Sequence, residues 1–198
     1  MYFKKIFMDK LGSLSYLIGC PKTKEACVVD PSKTSVQEYI ETAEKLGLEI
    51  THIFDTSSSA NHLNGITELK LRTGADVYYL RNSADMFSHF KAKEGDIFDF
   101  GQARIEIINS PRHDPYVNSI RVTDTFDLDS PWMILKKESL FIGDIGKPEK
   151  GGAKLSEEIF HFLDCNKGVY DQTASDSSGF NKYSGYEKNS EYAAQSMG

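Results

Sequence analysis

Short apolar runs separated by polar residues recur along most of this chain, which is a pattern typical of β-strands. The predicted strands cover residues 3–8, 14–19, 26–30, 50–54, 76–80, 97–98, 105–108, 119–122, 132–135, 140–142 and 169–170. Helices are predicted at residues 35–46, 60–73 and 155–163. Because the strands come in hairpin-like clusters and the helices fall between clusters, the pattern predicts an α/β (α+β) fold in which two sheets pack face to face with helices outside.

Size and charge narrow the class of protein. The 198 residues are 39% hydrophobic and 12% aromatic, which is enough to bury the core of one domain spanning residues 1–198. From about residue 171 the sequence is polar and rich in Ser, Gly and Asn, which predicts a loop and a frayed tail. A net charge of −6 without a Lys/Arg-rich run argues against a nucleic-acid or membrane partner. No stretch reaches the roughly 20 apolar residues of a membrane-spanning helix, so we expect a soluble, cytoplasmic protein.

The three cysteines are an odd number, which argues against a secreted disulfide framework. If Thr23 and Lys24 form a two-residue turn, the stretch YLIGCPKTKEACVVD folds into a hairpin that pairs Cys20 directly with Cys27. Such a pair is either a redox pair or two buried thiols. The sequence leaves both interpretations open.

The stretch 54–63, FDTSSSANHL, places three serines between a predicted strand and a predicted helix. Ser57, Ser58 and Ser59 are suited to cap a helix that starts near Ala60. A serine nucleophile would need a base and an oxyanion hole, and the sequence shows no evident partner for either. Helix capping is therefore the role that the local sequence favours.

Several motifs in their order along the chain resemble those of a known family. These are GSLSYLIG, EACVVDPS, ITHIFDT before a short helix, GDIFDFG, IEIINSP, SLFIGDIGKPE and GVY. Together they resemble the metallo-β-lactamase fold, and within it the persulfide dioxygenase and glyoxalase II branch, whose members are often fused to rhodanese domains. The resemblance runs from about residue 3 to about residue 192 and implies a four-layer αββα sandwich. It also implies that Asp30 and Pro31 form a scaffold turn, and that Asp144 and Gly146 shape the site indirectly.

The same resemblance implies where metal ligands should stand. The family holds its metals with a T-H-x-H-x-D-H turn, a P-G-H turn, a T-G-D strand end and a later histidine. In this sequence the corresponding positions, together with the turn residue before the second histidine, are Ser57, Ser59, Asn61, His62, Arg112, His113, Glu138 and Thr173. Serines thus replace two histidines, Asn61 replaces an acid, and Thr173 replaces the last histidine. The other histidines, His52, His89 and His161, match no ligand position.

The replaced donors change the expected cofactor. A serine hydroxyl does not ionise near neutral pH and is a poor ligand for zinc or iron, which prefer imidazole, thiolate or carboxylate. The family's mononuclear iron site needs two histidines and one carboxylate, and the first histidine falls on Ser57. We therefore expect no metal. The alternative is a rebuilt zinc or iron site of His62, His113 and Glu138, completed by Asp171 or Asp176.

Positively charged residues near these positions also argue against a bound metal ion. Arg112 precedes His113, and Lys136 and Lys137 precede Glu138. A cationic side chain is unfavourable beside a metal ion but can pair with a carboxylate that has lost its metal. The alternative is that these cations point into solvent.

Three functions from different classes remain compatible with the sequence. We expect a degenerate member of the fold that serves as a non-hydrolytic binding or interaction module, with a pocket suited to a small polar or anionic ligand. The alternative is a metal-dependent hydrolase or persulfide dioxygenase-like enzyme that uses the rebuilt site on thioesters or persulfides. A metal-free enzyme with new chemistry is the third. A homodimer is compatible with all three.

Overall fold

The computed structural model describes residues 1–8, 13–56, 65–80, 90–109, 118–126 and 131–135. Ten strands and two α-helices lie in these ranges. They are β1 (Tyr2–Met8), β2 (Ser13–Cys20), β3 (Glu25–Val29), α1 (Val36–Lys45), β4 (Glu49–Asp55), α2 (Ile66–Thr73), β5 (Asp76–Tyr79), β6 (Phe90–Lys91), β7 (Ile97–Phe100), β8 (Ala103–Asn109), β9 (Asn118–Asp124) and β10 (Pro131–Leu135). The short strand β6 was not predicted. The predicted elements at 140–142, 155–163 and 169–170 lie outside the described residues.

The strands form two sheets. Sheet 1 has the order β1-β2-β3-β4-β5-β6, and sheet 2 has the order β10-β9-β8-β7. In sheet 1, β1 to β3 are antiparallel hairpins, whereas β3 to β6 run parallel. The parallel part follows from the connections, because α1 joins β3 to β4 and α2 joins β4 to β5, and a helical crossover returns the chain in the same direction.

Each face of sheet 1 is covered by a different part of the fold. One face packs against α1 and α2 through residues such as Val28, Tyr39 and Leu69. The other face packs against sheet 2 through residues such as Val29, Phe54 and Ile105. Because both faces are covered, the parallel strands read as nearly continuous apolar runs. The described residues thus form a helix layer and two packed sheets, as the sequence predicted.

The hairpin between β2 and β3 corrects the predicted cysteine pairing. Cys20 pairs with Glu25, and Cys27 pairs with Ile18. The turn uses four residues instead of two, with Lys24 at a φ of 63° donating its amide to the Cys20 carbonyl at 2.8 Å. The predicted direct pairing was therefore wrong, and both thiols are free and buried. Burial raises the pKa of the Cys27 thiol, which suits an inert core residue.

The predicted start of the second helix was also wrong. The helix α2 begins at Ile66, and its N-cap residue is Gly65. Because glycine has no side chain, it forms no side-chain capping hydrogen bond. The serines at 57–59 lie outside the described residues, so their predicted capping role stays a prediction. In the described residues no helix has the length and apolar character needed to cross a membrane.

Candidate functional site

The carboxyl ends of the parallel strands meet at one edge of sheet 1. The strands β3, β4 and β5 run in the same direction. The residues that follow them, Asp30, Thr56 and Leu80 respectively, therefore lie side by side. Backbone hydrogen bonds tie these ends together: the Asp30 amide donates to Phe54 O at 2.8 Å, and the Leu80 amide donates to Asp55 O at 3.1 Å. Loops that follow such strand ends commonly carry ligand-binding residues in α/β proteins.

Sheet 2 brings further strand ends to the same edge. The turn between β7 and β8 packs at the opposite end of the sandwich, because Gly101 lies against Cys20 and Thr23. The far end of β8 at Asn109 and the start of β9 at Asn118, which pair with each other, therefore lie at the end where Asp30 lies. The end of β10 at Leu135 pairs with Ile120 beside them.

We call this edge, defined by Asp30, Thr56, Asn109, Asn118 and Leu135, the site edge. The segments 57–64, 110–117 and 136 onward are attached to the described fold here. These segments contain all eight predicted site positions, of which seven lie within eight residues of an attachment point and residue 173 lies further along the chain. Tertiary structure thus brings the attachment points of three separate predicted motifs together.

The turn after β3 holds the start of the segment 57–64. The Asp30 carboxylate accepts a hydrogen bond from the Thr56 amide at 2.8 Å and another from the Thr56 hydroxyl at 2.6 Å. Both residues are buried. Asp30 has a φ of 51°, a left-handed conformation that Asp and Asn tolerate better than most residues. The resemblance predicted a scaffold turn at Asp30 and Pro31, and the structure assigns the aspartate that role.

The same turn holds the end of the segment. The Gly65 amide donates to the Pro31 carbonyl at 2.7 Å. A Cβ atom on Gly65 would lie 2.5 Å from the Ser32 backbone oxygen, a separation at which atoms overlap. Gly65 has an ordinary φ of −88°, so close packing and not backbone conformation requires glycine here. We call Asp30, Pro31 and Ser32, which grip Thr56 and Gly65, the loop clamp.

A buried hydroxyl network supports the loop clamp from below. The Ser32 amide donates to the Tyr39 hydroxyl oxygen at 2.9 Å, and Tyr39 lies 2.6 Å from Ser15 Oγ. Ser15 in turn donates to the Ile6 carbonyl at 3.4 Å. Burial raises the pKa of the Tyr39 hydroxyl, which keeps its proton available for Ser15. The network connects α1 and the first hairpin to the clamp, and sequence reasoning missed it because its members are far apart along the chain.

The predicted site side chains themselves lie outside the described residues. These are Ser57, Ser59, Asn61, His62, Arg112, His113, Glu138 and Thr173, together with the alternative ligands Asp171 and Asp176. Their roles therefore stay predictions. Within the ranges that the structure describes, no three His, Cys, Asp or Glu side chains come together in a way that could bind a metal ion.

No protein-family profile matches the chain. Among curated proteins it is 33% identical over 100 residues to the hydroxyacylglutathione hydrolase of Rhodospirillum rubrum, covering 50% of this chain and 38% of that protein. It is 26% identical over 161 residues to the mitochondrial persulfide dioxygenase ETHE1 of Mus musculus, covering 80% of this chain and 61% of that protein. The chain spans about half the length of the curated relatives that it matches.

Solved structures decide the fold. A metallo-β-lactamase from Staphylococcus aureus matches with a TM-score of 0.72 at 27% identity, covering 90% of this chain and 57% of that chain. This chain has the metallo-β-lactamase fold. ETHE1 from Myxococcus xanthus matches with a TM-score of 0.70 at 20% identity, covering 90% of this chain and 78% of that chain. The predicted αββα class is confirmed, and the curated relatives place this metallo-β-lactamase-fold protein near the glyoxalase II and persulfide dioxygenase branch.

Proposed function

We propose that this metallo-β-lactamase-fold protein is a non-hydrolytic binding module whose pocket lies at the site edge and takes a small polar or anionic ligand. The supporting observation is the loop clamp. Asp30 fixes Thr56, and the next residue is Ser57 where the family resemblance implies the first histidine ligand. The scaffold of the ligand turn is retained while its donor side chains are replaced.

The chemistry of the replaced donors disfavours the family's metals. At the implied ligand positions only His62, His113 and Glu138 offer an imidazole or a carboxylate. Serine, asparagine and threonine are neutral oxygen donors that bind zinc and iron weakly. Arg112, at the turn beside His113, adds a positive charge that opposes a cation and favours an anion.

The structure narrows which groups are free to bind an anion. The Gly65 amide at the start of α2 already donates to Pro31, so this amide is not offered to a ligand. We propose that recognition uses the side chains of the loops, chiefly the Arg112 guanidinium and the serine hydroxyls. The relatives' names indicate one concrete ligand to test, because a hydroxyacylglutathione hydrolase acts on a glutathione thioester. Glutathione is small, polar and anionic, as the proposal requires.

Metal content of the purified full chain tests the first half of the proposal. After expression with added zinc and iron and purification without chelators, we expect well under one metal ion per chain and a melting temperature that a chelator leaves unchanged. One or more metal ions per chain, together with a lower melting temperature in chelator, would contradict it. That result would favour an enzyme that uses His62, His113 and Glu138, to be assayed on a hydroxyacylglutathione.

Ligand binding tests the second half. We expect glutathione to raise the melting temperature of the wild type and to have a smaller effect on Arg112→Gln. Arg104→Gln is the matched control, because Arg104 lies on β8 and pairs with Asp99 at 2.7 Å near the opposite end of the sandwich. An equal effect of glutathione on all three proteins would show that Arg112 does not take part in anion binding.

A further inference from the structure

Four partly exposed rings lie together on β4, β5, β6 and β7. His52 stacks on Tyr78 with ring centroids 5.4 Å apart, and Tyr78 stacks on Phe90 at 5.3 Å. Phe98 meets His52 and Tyr78 edge-on at 6.0 and 4.7 Å. We call these four residues the aromatic slot.

The aromatic slot leaves a large apolar side chain in contact with water, because Phe90 is 50% exposed. His52, Tyr78 and Phe98 are each less exposed than Phe90, but none of the three is fully buried. Because the four rings touch one another, the exposed surface is one patch, and contiguous apolar patches mark interaction surfaces more often than scattered apolar residues do.

Carboxylates border this patch. Glu25, Glu49 and Asp76 are the first residues of three adjacent parallel strands, β3, β4 and β5. In the strand register, Glu25 lies opposite Glu49, and Asp76 lies opposite His52. Across the described ranges, none of these three carboxylates forms an ion pair with a lysine or arginine. We call the three carboxylates the acidic rim.

The acidic rim and the aromatic slot lie on the same side of sheet 1. Successive side chains of a strand point to opposite faces of the sheet. Ala26 faces the helices and Cys27 faces sheet 2, so the side chain of Glu25 also points to the side of sheet 2. Asp76 likewise shares a face with Tyr78, since Val77 between them faces the helices. The negative charges of Asp76 and Glu25 also reach the His52 ring, where they oppose the stronger effect of burial, which lowers the pKa of the imidazole.

We propose that the aromatic slot and the acidic rim form a docking site for an arginine-bearing segment of another protein. A guanidinium group can lie flat on an aromatic ring and at the same time donate hydrogen bonds to a carboxylate, whereas an ammonium group is a compact, strongly hydrated charge. The charge of the acidic rim repels anionic partners. This site is distinct from the site edge, so it recruits a partner without competing with the pocket.

Binding of a defined peptide to the full chain tests the docking site. The probe is the blocked pentapeptide Gly-Arg-Gly-Arg-Gly, and its control carries citrulline, which is neutral and nearly the same shape, in place of arginine. Ring resonances of His52 and Tyr78 are followed by NMR. We expect saturable shifts with the arginine peptide, binding at least about fivefold weaker with the citrulline peptide, and weakening with added salt.

Protein variants supply the matched comparison. Removing two charges of the acidic rim with Glu25→Gln and Asp76→Asn should weaken the binding of the arginine peptide about threefold to tenfold. Glu38→Gln and Glu68→Gln remove the same number of charges from α1 and α2 and should leave binding unchanged. Equal binding of both peptides, no saturable shift up to a concentration on the order of 10 mM, or equal weakening by both pairs of variants overturns the proposal. So does sedimentation that shows a second copy occupying the slot, as a dimer which Phe90→Ser dissociates.

Discussion

The Asp30 carboxylate accepts hydrogen bonds from both the amide and the hydroxyl group of Thr56, at 2.8 and 2.6 Å. The two residues follow neighbouring parallel strands, β3 and β4, so the pair ties two strand ends together. Charge-assisted hydrogen bonds of this kind are stronger than those between neutral groups. The segment that begins at Ser57 is therefore attached to a rigid part of the scaffold, whatever its own side chains bind.

Replacing Asp30 by asparagine should destabilise the protein by about 1.5 to 3 kcal/mol, because the amide cannot accept both hydrogen bonds from Thr56. Asparagine tolerates the left-handed conformation at φ 51°, so the change reports on hydrogen bonding and not on backbone strain. Thr56→Val should cost about 1 kcal/mol by removing the hydroxyl alone. Urea unfolding of both variants and the double mutant measures the coupling between the two residues.

The control for this cycle is Asp99→Asn. Asp99 pairs with Arg104 on the surface, and its carboxylate is about half exposed, so its loss should change the free energy of unfolding by less than about 1 kcal/mol. Strictly additive effects of the Asp30 and Thr56 changes would show that the hydrogen bond between the Thr56 hydroxyl group and the Asp30 carboxylate contributes nothing measurable.

Gly65→Ala should destabilise the protein by about 1 to 3 kcal/mol, because the new methyl group would overlap the Ser32 backbone oxygen. Gly74→Ala, at the other end of α2, is the matched control. Gly74 has a φ of 73° and open space around it, so its cost comes from conformation alone and should be about 1 kcal/mol. If Gly65→Ala is as stable as the wild type in urea, the loop clamp is not closely packed.

Acidification should weaken the fold through His52. Burial lowers the pKa of His52 in the folded state, so the folded protein resists protonation that the unfolded chain accepts. The stability contributed by the neutral ring is therefore present above the unfolded value of about 6.5 and is lost as the pH falls through the lower folded pKa. His52→Phe keeps an aromatic ring in the slot and removes this titration.

Urea midpoints at pH 7.5 and 5.5 make the comparison for His52. The wild type should lose more stability than His52→Phe over this interval, in which most carboxylates remain ionised. The remaining histidines titrate in both proteins and cancel in the difference. The same pH dependence in both proteins would mean that His52 is protonated as easily when folded as when unfolded.

Restoring the family's ligands should restore metal binding. The six changes are Ser57→His, Ser59→His, Asn61→Asp, Arg112→Gly, Glu138→Asp and Thr173→His. Because the loop clamp holds both ends of the segment 57–64, we expect the variant to bind zinc near stoichiometrically, measured by elemental analysis. Adding Asp30→Asn should weaken that binding, since imprecise placement of ligands costs affinity. A folded six-fold variant without metal would show that the retained clamp does not preserve the ligand geometry.

Arg112 and Glu138 should be energetically coupled if the arginine neutralises a carboxylate that has no metal. Arg112→Gln would then cost about 1 to 3 kcal/mol by leaving that carboxylate uncompensated, and Glu138→Gln in the same chain should partly restore the loss. A double-mutant cycle in urea measures the coupling. Additive effects, each within about 0.5 kcal/mol, would place Arg112 in solvent instead.

The sequence by itself determined which segments become the central strands and which turn follows β3. Runs such as ACVV are apolar and are bordered by polar residues, so these strands could be predicted from local order alone. The Asp30-Pro31 turn was predicted from the family resemblance for a comparable reason, because its residues are adjacent. The residues at the ligand positions that the resemblance implies could also be read without a structure, and their roles stay predictions.

Only the tertiary structure decided how these segments meet. The hairpin register that separates Cys20 from Cys27 depends on a four-residue turn, and α2 begins only after Gly65, whose backbone lies close to Ser32. The four rings of the aromatic slot come from four different strands. The local pattern of apolar and polar residues indicates whether a residue is buried. Which residues it contacts depends on packing between segments far apart along the chain. That is why the site edge, the loop clamp and the aromatic slot emerge only in the folded chain.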